Sequence, residues 1–423
     1  MSEKILALDI GSTKICAIIA QITQGKKPSI LGFGISKSQG LKKGAISNIE
    51  LASKAIKFAL NDAKRISGVD VKEATISISG TYTKNLSSSG IVHIEKKEIT
   101  IEEIKRVMET SLYNAHIPQE YEVLHVLPYN FKVDDQNFIE NPLGMNASRL
   151  EVEVYIITTQ KANINNLKRA VNGAGLEVKN IILNTYASSI ATLNEDEKKL
   201  GVALIDIGGS TSNIAIHIGN SIQYHDFLTV GSNHITNDLS IALHTPLHVA
   251  DVIKLKYASL LNTNDAIIEI PTIGDIETTH EASLNVVSDV VYARVEETLS
   301  YLNINIEKSI LRDKLGAGIV ITGGLSNMKG LRELATAIFG NLPVRLAKPK
   351  PIDGLFKELN SGEYATVIGL VMYSAGAYTS YEIDINKKVR HRKEVSIQSI
   401  KAVEVMEIEK EEVGNTILRY LNS

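Results

Sequence analysis

The sequence predicts an α/β protein with a duplicated core and a small α+β insertion in its first half. The main observation is an internal repeat, in which two segments share one plan: LALDIGSTKICAIIA at 6–20 and VALIDIGGSTSNIAIHI at 202–218. Each has an apolar run of strand length that ends in Asp, then a turn of Gly, Ser and Thr, then a second apolar run. Asp9 and Asp206 lie about half a chain apart. This spacing indicates two similar halves, each beginning with a turn whose size suits a phosphate.

The composition is that of an ordinary globular protein. The chain has 423 residues, of which 44% are hydrophobic and 22% charged, and its net charge is −3. A chain of this length corresponds to about two to four domains. The near-neutral charge argues against a nucleic-acid-binding protein, because phosphate contacts require a basic surface. Cys16 is the only cysteine, so an internal disulfide framework is excluded and a reducing compartment is expected.

The sequence predicts neither a secretory signal nor a membrane-spanning helix. The N-terminal apolar run extends only from Ile5 to Leu8 before Asp9 interrupts it, which is too short for a signal peptide. No stretch of about 18 uncharged apolar residues occurs in the chain. We therefore expect a cytoplasmic protein whose membrane contact is at most peripheral.

The hydrophobic pattern changes within the first half. A helix is predicted at 100–114, and Thr100 and Glu103 form a capping box at its start. Two segments that alternate like strands follow, at 122–133 and 150–158. The α/β pattern then returns, so the sequence predicts a small α+β domain inserted into the first half.

The turn after the first strand has residues that suit a magnesium-bound phosphate. Asp9 stands at a strand end, where a carboxylate can hold Mg²⁺ through water, and the amides and hydroxyls that follow can bind phosphate oxygens. Gly11 in this turn, and Gly208 and Gly209 in the second, let the backbone approach a ligand because they lack a Cβ. Either turn alone is explained as well by an ordinary hairpin. Two such turns facing across a cleft would clamp a polyphosphate.

A third segment, IVITGGLS at 319–326, adds to this interpretation. A buried strand that opens through Gly323 and Gly324 into a helix leaves a flat backbone surface on which a nucleoside base can lie. Taken alone, it is explained as well by an ordinary turn between strand and helix. The sequence contains neither GxxxxGK[ST] nor GxGxxG after a strand, which excludes the P-loop and Rossmann types of nucleotide site.

These three elements, in this order, resemble the actin/Hsp70/sugar-kinase ATPase superfamily. The resemblance implies a two-lobed, actin-like α/β fold with Mg-ATP in the cleft between the lobes. It places Asp9 and Asp206 near the metal, and a solvated side chain is the alternative for Lys14. The residues that it assigns to ATP are Gly11, Ser12, Thr13, Lys14, Gly208, Gly209, Ser210, Thr211, Gly323 and Gly324, with Asp251 and Lys254 near the ribose.

Within the superfamily, the sequence resembles the bacterial FtsA family of cell-division proteins over about Ile5 to Ser380. The segments that carry this resemblance are VLHVLPYNFKVD (123–134), NPLGM (141–145), LGVALIDIGGSTSNIAI (200–216) and GAGIVITGGLSNMKGL (316–331). The division that it implies is subdomain 1A at 1–85 and 160–197, subdomain 1C at 86–159, subdomain 2A at 198–243 and 312–385, subdomain 2B at 244–311, and a tail at 386–423.

For catalysis, the resemblance points to Asp206 and to Asn184, which falls near the residue that positions the attacking water in actin-like proteins. An amide can orient water but is a poor general base. We therefore expect at most slow ATP hydrolysis. The nucleotide would act mainly as a ligand that favours a filament-competent state.

The resemblance also implies the partners of this family: the C-terminal tail of FtsZ, further copies of the chain in a filament, later division proteins and lipid at the inner face of the membrane. Arg294 falls on the basic position that it assigns to the FtsZ tail, and a guanidinium group suits the carboxylates of such a peptide. The alternative for Arg294 is a surface ion pair with Glu297 or Glu281.

The C-terminal residues predict a short amphipathic helix. Its apolar side carries Val413, Ile417, Leu418, Tyr420 and Leu421. By the resemblance this helix targets the membrane peripherally. A helix that docks on a partner or on the core is the alternative.

Two other functions remain open on the sequence alone. A metabolic kinase on the same fold would phosphorylate a small molecule with an Asp base in the cleft. A type IV pilus-assembly homologue would bind a pilus-protein peptide instead of FtsZ. A shared fold does not separate these functions, so the chemistry of the site must do so.

Overall fold

The computed structural model describes residues 2–95, 97–219, 221–261 and 265–392. The strands of these residues are β1 (Ser2–Ile10), β2 (Lys14–Thr23), β3 (Ser29–Lys37), β4 (Leu41–Lys42), β5 (Ala45–Ile46), β6 (Glu73–Ile78), β7 (Thr83–His93), β8 (Tyr121–Val133), β9 (Gln136–Ile139), β10 (Arg149–Gln160), β11 (Glu177–Leu183), β12 (Val202–Ile207), β13 (Ser212–Ile218), β14 (Ser221–Leu228), β15 (Ile267–Thr272), β16 (Asp275–Ser283), β17 (Gly318–Thr322), β18 (Val344–Leu346), β19 (Tyr381–Asp384) and β20 (Val389–His391).

The α-helices are α1 (Ile49–Ser67), α2 (Ile101–Asn114), α3 (Lys161–Gly173), α4 (Asn184–Thr192), α5 (Glu195–Leu200), α6 (Ser232–Ala242), α7 (Leu247–Tyr257), α8 (Leu284–Lys308), α9 (Leu331–Phe339) and α10 (Ala365–Ser374). No helix in the described part of the chain is long and apolar enough to cross a membrane.

Two five-stranded sheets have the same strand order. From the third strand of each repeat inward, the first runs β3-β2-β1-β6-β11 and the second runs β14-β13-β12-β17-β18. In each sheet the central strand pairs antiparallel with its hairpin partner and parallel with a strand from further along the chain. The sequence repeat is therefore a structural repeat, and the predicted duplicated α/β core is confirmed.

The central strands are apolar because helices or neighbouring elements cover both of their faces. Val202–Ile207 is buried throughout, as is typical of a strand at the centre of an α/β sheet. On the first sheet, α1 lies close to β3, since a Cβ on Gly34 would lie 2.0 Å from the carbonyl oxygen of Ala59. Asn48 caps this helix by accepting a hydrogen bond from the Leu51 N–H.

The insertion forms its own sheet and core. Its strand order is β20-β19-β8-β10-β7, and β9 pairs with the outer part of β8. Helix α2 packs Ile104, Val107 and Met108 against this sheet. The predicted capping box is present, and the Glu103 carboxylate accepts from the Thr100 N–H at 3.0 Å.

The C-terminal part of the described chain packs against elements from the first half. Helix α10 lies in the first core, although the sequence-based division assigns 312–385 to subdomain 2A. It crosses α4 so closely that a Cβ on Gly369 would lie 1.8 Å from the carbonyl oxygen of Ala187. The residues of this helix are mostly apolar, but the sequence does not show on which sheet they pack. Strands β19 and β20 then complete the sheet of the insertion, so residues 389–391, which were assigned to the tail, form a strand there. The other boundaries stay predictions.

Candidate functional site

The two glycine turns predicted from the repeat face each other. In the first, the Gly11 N–H donates to the carbonyl oxygen of Lys14 at 3.1 Å, and in the second the Gly208 N–H donates to that of Thr211 at 2.9 Å. The turns also touch, since a Cβ on Gly209 would lie 2.3 Å from Cγ2 of Thr13. Two hairpins of the same geometry, one from each sheet, therefore form opposite walls of one cleft.

Each hairpin has an aspartate at the end of its first strand, of which Asp206 is buried and Asp9 is half-buried. The Ser77 hydroxyl donates to Oδ1 of Asp9 at 2.7 Å, whereas Thr366 donates to Oδ2 of Asp206 from 3.4 Å. Burial raises the pKa of Asp9 above its ordinary value. Burial, with a smaller contribution from the charge of Asp9, raises the pKa of Asp206 to about 6. A nearby cation would therefore stabilise the charged form of both carboxylates.

The predicted nucleoside turn lies against the second hairpin. Gly323 has a φ of +88°, and a Cβ there would lie 2.4 Å from the carbonyl oxygen of Ile207 and 2.6 Å from Oδ1 of Asp206. A left-handed backbone in direct contact with another backbone requires glycine. The Gly323 N–H donates to the carbonyl oxygen of Gly362 at 3.2 Å, which fixes the turn from the other side.

Most of the predicted nucleotide-site residues line this one cleft. They are Asp9, Gly11, Ser12, Thr13, Lys14, Asn184, Asp206, Gly208, Gly209, Thr211, Gly323 and Gly324. Ser210, Asp251 and Lys254 are not among its lining residues. Ser210 accepts a hydrogen bond from Asn233 at 3.3 Å. The Lys254 ammonium donates to Asp251 at 2.7 Å and to Thr236 of α6 at 2.8 Å.

Lys14 has protein partners inside the cleft. Its ammonium forms an ion pair with Glu363 and lies 3.5 Å from the centroid of the Tyr364 ring. The sequence predicts a phosphate contact or a solvated side chain for Lys14, and it gives no sign of Glu363. No local pattern near position 14 indicates this partner, because the two residues are 349 positions apart.

Other cleft residues were also missed by sequence reasoning: Gly44, Ser77, Ser79, Asn213, Ser232, Gly362, Glu363 and Thr366. Asn213 is 1% exposed, and its Oδ1 has no hydrogen-bond partner among the described residues. The available signal for it was its place in β13, where it corresponds to Cys16 of the first repeat. Its unpaired acceptor indicates that the cleft is built to meet a polar ligand or ordered water.

Asn184 lies at the start of α4, where the chain leaves strand β11. Its Oδ1 accepts from the Thr185 N–H at 2.8 Å and from the Thr185 hydroxyl at 3.2 Å. The side-chain oxygen is therefore held at the cleft wall by the first turn of the helix.

Arg294 lies away from the cleft, on α8. Its guanidinium donates to both carboxylate oxygens of Asp238, at 2.5 and 3.2 Å, and also to Glu297. The side chain is 27% exposed, so part of its edge reaches the surface. The ion pair with Glu297 that the sequence analysis gave as an alternative is thus present. The predicted membrane residues Val413, Ile417, Leu418, Tyr420 and Leu421 lie outside the described residues.

The donor set fits a magnesium ion that arrives with a phosphate ligand. Among the described residues, no group of three or more His, Cys, Asp or Glu side chains could hold a metal by itself. Mg²⁺ is usually bound by one or two carboxylates together with substrate phosphates and water. Asp9 and Asp206 supply the two carboxylates, and the hairpins supply backbone amides for the phosphates.

Comparisons with known proteins agree with this geometry. The family model "Cell division protein FtsA" matches residues 203–369, and the model of the SHS2 domain inserted in FtsA matches residues 80–158. The cell division protein FtsA of Helicobacter pylori is 38% identical over 421 residues, covering 92% of this chain and 85% of the relative.

Two solved structures share the fold. The PilM-PilN type IV pilus biogenesis complex aligns with a TM-score of 0.63 at 16% identity, over 88% of this chain and 98% of that chain. ADP-bound MreB5 of Spiroplasma citri aligns with a TM-score of 0.53 at 14% identity, over 88% and 95% of the two chains. At these identities the two likenesses support the actin-like fold alone.

Proposed function

Because the chain belongs to the FtsA family of cell-division proteins, we propose that it binds Mg-ATP, forms filaments and tethers FtsZ to the inner face of the cytoplasmic membrane, where it recruits later division proteins. The observation that carries the nucleotide part is the approach of the two glycine hairpins, at which Gly209 contacts Thr13. Backbone amides presented from both sides suit a polyphosphate, which has oxygens on all sides.

Each part of the cleft has a role in this proposal. The first hairpin holds phosphate through Ser12 and Thr13, and the second does so through Gly209 and Thr211. Gly11 and Gly208, whose N–H groups donate within the turns, leave room for the phosphate because they lack a Cβ. Gly324 faces the nucleoside, and Asp251 and Lys254 approach the ribose from beyond α6. Mg²⁺, when bound, supplies positive charge against the phosphates. Asp9 and Asp206 hold its water ligands.

Hydrolysis is at most slow in this proposal. Asn184 orients the attacking water, but an amide does not accept the proton that this water must lose. Binding energy from the phosphates is therefore used mainly to bring the two walls of the cleft together. A ligand favours one conformation to the extent that it binds that conformation more tightly, so ATP favours the filament-competent form.

The partner contacts use other surfaces. Arg294 binds the acidic C-terminal tail of FtsZ, and its guanidinium is already oriented by Asp238 at 2.5 Å. Membrane attachment is assigned to the apolar side of the C-terminal segment that carries Ile417 and Leu421. One such helix binds a bilayer weakly, so attachment depends on many copies in a filament acting together.

Two binding measurements test the proposal. A fluorescent ATP analogue should bind saturably, and Mg²⁺ should strengthen its binding. In the presence of ATP, a fluorescent peptide of the FtsZ C-terminal tail should also bind, and the Arg294→Glu substitution should abolish this binding.

Arg332→Glu, on the exposed side of α9, is the matched charge reversal and should leave peptide binding intact. Peptide binding that survives Arg294→Glu would keep the adaptor function but remove Arg294 from the contact. Absence of peptide binding would favour a kinase or pilus-assembly function on the same fold.

A further inference from the structure

A buried polar network connects the insertion and the C-terminal strand to the wall of the cleft. Its centre is the carboxylate of Glu382, which lies on β19 and is fully buried. Protein donors replace water around this carboxylate. Oε1 accepts from His125 at 2.7 Å and from the Tyr373 hydroxyl at 3.1 Å. Oε2 accepts from the Tyr186 hydroxyl at 3.2 Å. A buried carboxylate is tolerated only when donors of this kind satisfy it.

His125 extends the network to the start of α4. It lies on β8, is fully buried, and its Nε2 is 3.1 Å from the N–H of Leu183. Since a backbone N–H can only donate, Nε2 must be the unprotonated nitrogen, and Nδ1 carries the hydrogen that is donated to Glu382. Glu382 therefore selects the tautomer with which His125 accepts from Leu183.

The backbone explains why this contact is needed. Leu183 ends β11, which is an edge strand of the first sheet, and it directly precedes Asn184. An unpaired N–H at such a buried edge is costly. On the other side, β8 has an extra residue at Leu124, where the pairing with β10 shifts between His125 and Val123. A bulge of this kind re-aims the neighbouring side chain.

We propose that His125 is a positioning residue for the cleft: together with Glu382 it fixes the start of α4 and so holds Asn184 in place. His125 also lies edge-on to Tyr186 of α4, with ring centroids 5.1 Å apart, so two contacts join β8 to this helix. The insertion thereby acts on the start of α4 through His125, while the C-terminal strand contacts the same helix through Glu382 and Tyr186. This inference rests on the proposed function only in assigning Asn184 a role toward bound nucleotide.

Three variants of the full chain separate positioning from simple stabilisation. His125→Ala removes the acceptor for Leu183. His125→Gln retains one acceptor and one donor on a side chain of similar reach. Tyr373→Phe removes a hydrogen bond to the same oxygen of Glu382 but leaves the contact with Leu183 intact, and it serves as the control.

The first readout is hydrogen exchange of the amides at 183–187 without nucleotide. We expect His125→Ala to speed this exchange by about tenfold or more, because a buried N–H loses its partner. His125→Gln should restore protection in part, and Tyr373→Phe should stay within about twofold of the parent chain even where its melting temperature falls equally.

The second readout compares ATP-analogue affinity with phosphate release in a single turnover. His125→Ala should slow phosphate release by about fivefold or more, with affinity changed by less than about twofold, since the phosphate-binding hairpins are untouched. Equal effects of Tyr373→Phe and His125→Ala, or unchanged exchange in His125→Ala, would overturn the inference. If the parent chain binds no nucleotide, the proposed function fails, and the exchange comparison alone decides on His125.

Discussion

The two halves of the core place an aspartate at the same point of the same strand order, yet they give it different partners. In the first half, Ser77 follows in register beside Asp9 and donates to it at 2.7 Å. In the second half, Thr322 pairs with Asp206 in the parallel ladder. Its hydroxyl turns away and donates to the carbonyl oxygens of Ala347 and Gly362, at 3.1 and 3.3 Å.

Because of this difference, the two equivalent aspartates are not equally available to a ligand. Asp9 is fixed by a short hydrogen bond from its own sheet. The hydroxyls that reach Asp206 come from helices instead, from Thr366 at 3.4 Å and from Ser188 of α4, and burial raises the pKa of Asp206 to about 6. Opposite Asp9 stands Cys16, and opposite Asp206 stands Asn213. The duplicated backbone therefore supplies the geometry twice, while the unsatisfied polar groups that a ligand can use belong mainly to the second half.

The largest effect that we expect comes from Gly323, whose equivalent in the first half is Ile78. Gly323→Ala combines a left-handed φ with a Cβ 2.4 Å from the carbonyl oxygen of Ile207. It should lower the free energy of unfolding by about 2–5 kcal/mol and weaken nucleotide binding.

Gly340→Ala is the control for Gly323→Ala, because Gly340 has a φ of +67° with nothing within 4 Å of its Cβ position. It should cost only the backbone strain of about 1–2 kcal/mol. Urea unfolding of both variants measures the difference. Equal losses would mean that the contact with Ile207 is relieved by local movement.

The next effect concerns the two carboxylates. Asp206→Asn should remove most of the strengthening of nucleotide binding by Mg²⁺, by about 2–3 kcal/mol or roughly 30–150-fold, because a charged acceptor for the metal's water is lost. Asp9→Asn should cost clearly less, since an amide oxygen still accepts from Ser77. Titration of a fluorescent ATP analogue with and without Mg²⁺ compares the two. A larger loss in Asp9→Asn would reverse the roles that we assign.

A third difference is a titratable group that only the second half contains. His225 pairs with Ala215, where the first half pairs Phe33 with Ile18. Burial, with a smaller contribution from His125, lowers the pKa of His225 to about 3. Below pH ~6.5 the unfolded state therefore binds more protons than the folded state. The contribution of His225 to stability is full above this pH and falls as the pH is lowered toward the pKa of His225 in the folded protein.

The buried His225 should therefore lower the free energy of unfolding by about 2 kcal/mol as the pH falls from 6.5 to 5. His225→Gln should make the unfolding free energy less dependent on pH by about one proton over this range. Urea unfolding at a series of pH values measures the slope. An unchanged slope would mean that His225 gains solvent or a partner when it is protonated.

The comparison of the two halves also shows what the sequence could reveal. The two hairpins and the glycine turn at Gly323 follow from local patterns, so sequence reasoning found them, whereas the strand order and the contact of Gly323 with the second hairpin come from the structure. The partners of the aspartates and of Lys14 come from strands and helices that are 68, 160 and 349 positions away. Such partners depend on how elements pack, and neither periodicity nor turn chemistry specifies that packing.

The same reason explains why the sequence-based division assigned helix α10 to the second half. Its apolar sequence is typical of a buried element, but only the close crossing at Gly369 and Ala187 determines that it lies in the first core. Thr366 and Glu363, which precede this crossing, consequently enter the cleft from a part of the chain that the sequence-based division assigned to the second half.

The smallest effect on ligand binding, a few-fold, tests the opening comparison most directly. Ser77 donates to Asp9 and also accepts from the Ile10 N–H at 3.0 Å. Ser77→Ala therefore removes the partner of one half-buried donor and of one carboxylate oxygen, and it should lower the unfolding free energy by about 1–3 kcal/mol. Thr322→Val, its matched counterpart, leaves no charged group without a partner, and the carbonyl oxygen of Gly362 keeps the N–H of Gly323 as a donor, so the loss should be about 1 kcal/mol or less.

The two hydroxyl variants should also differ at the ligand site. Without Ser77, Asp9 is no longer held, so Ser77→Ala should weaken Mg-ATP analogue binding by a few-fold, whereas Thr322→Val should leave it unchanged because its hydroxyl does not contact Asp206. Parallel unfolding and binding measurements on the two variants decide this. If both lower binding equally, the hydroxyls support the two sheets in the same way. The functional asymmetry between the halves would then rest on Asn213 and Thr366 rather than on how each aspartate is fixed.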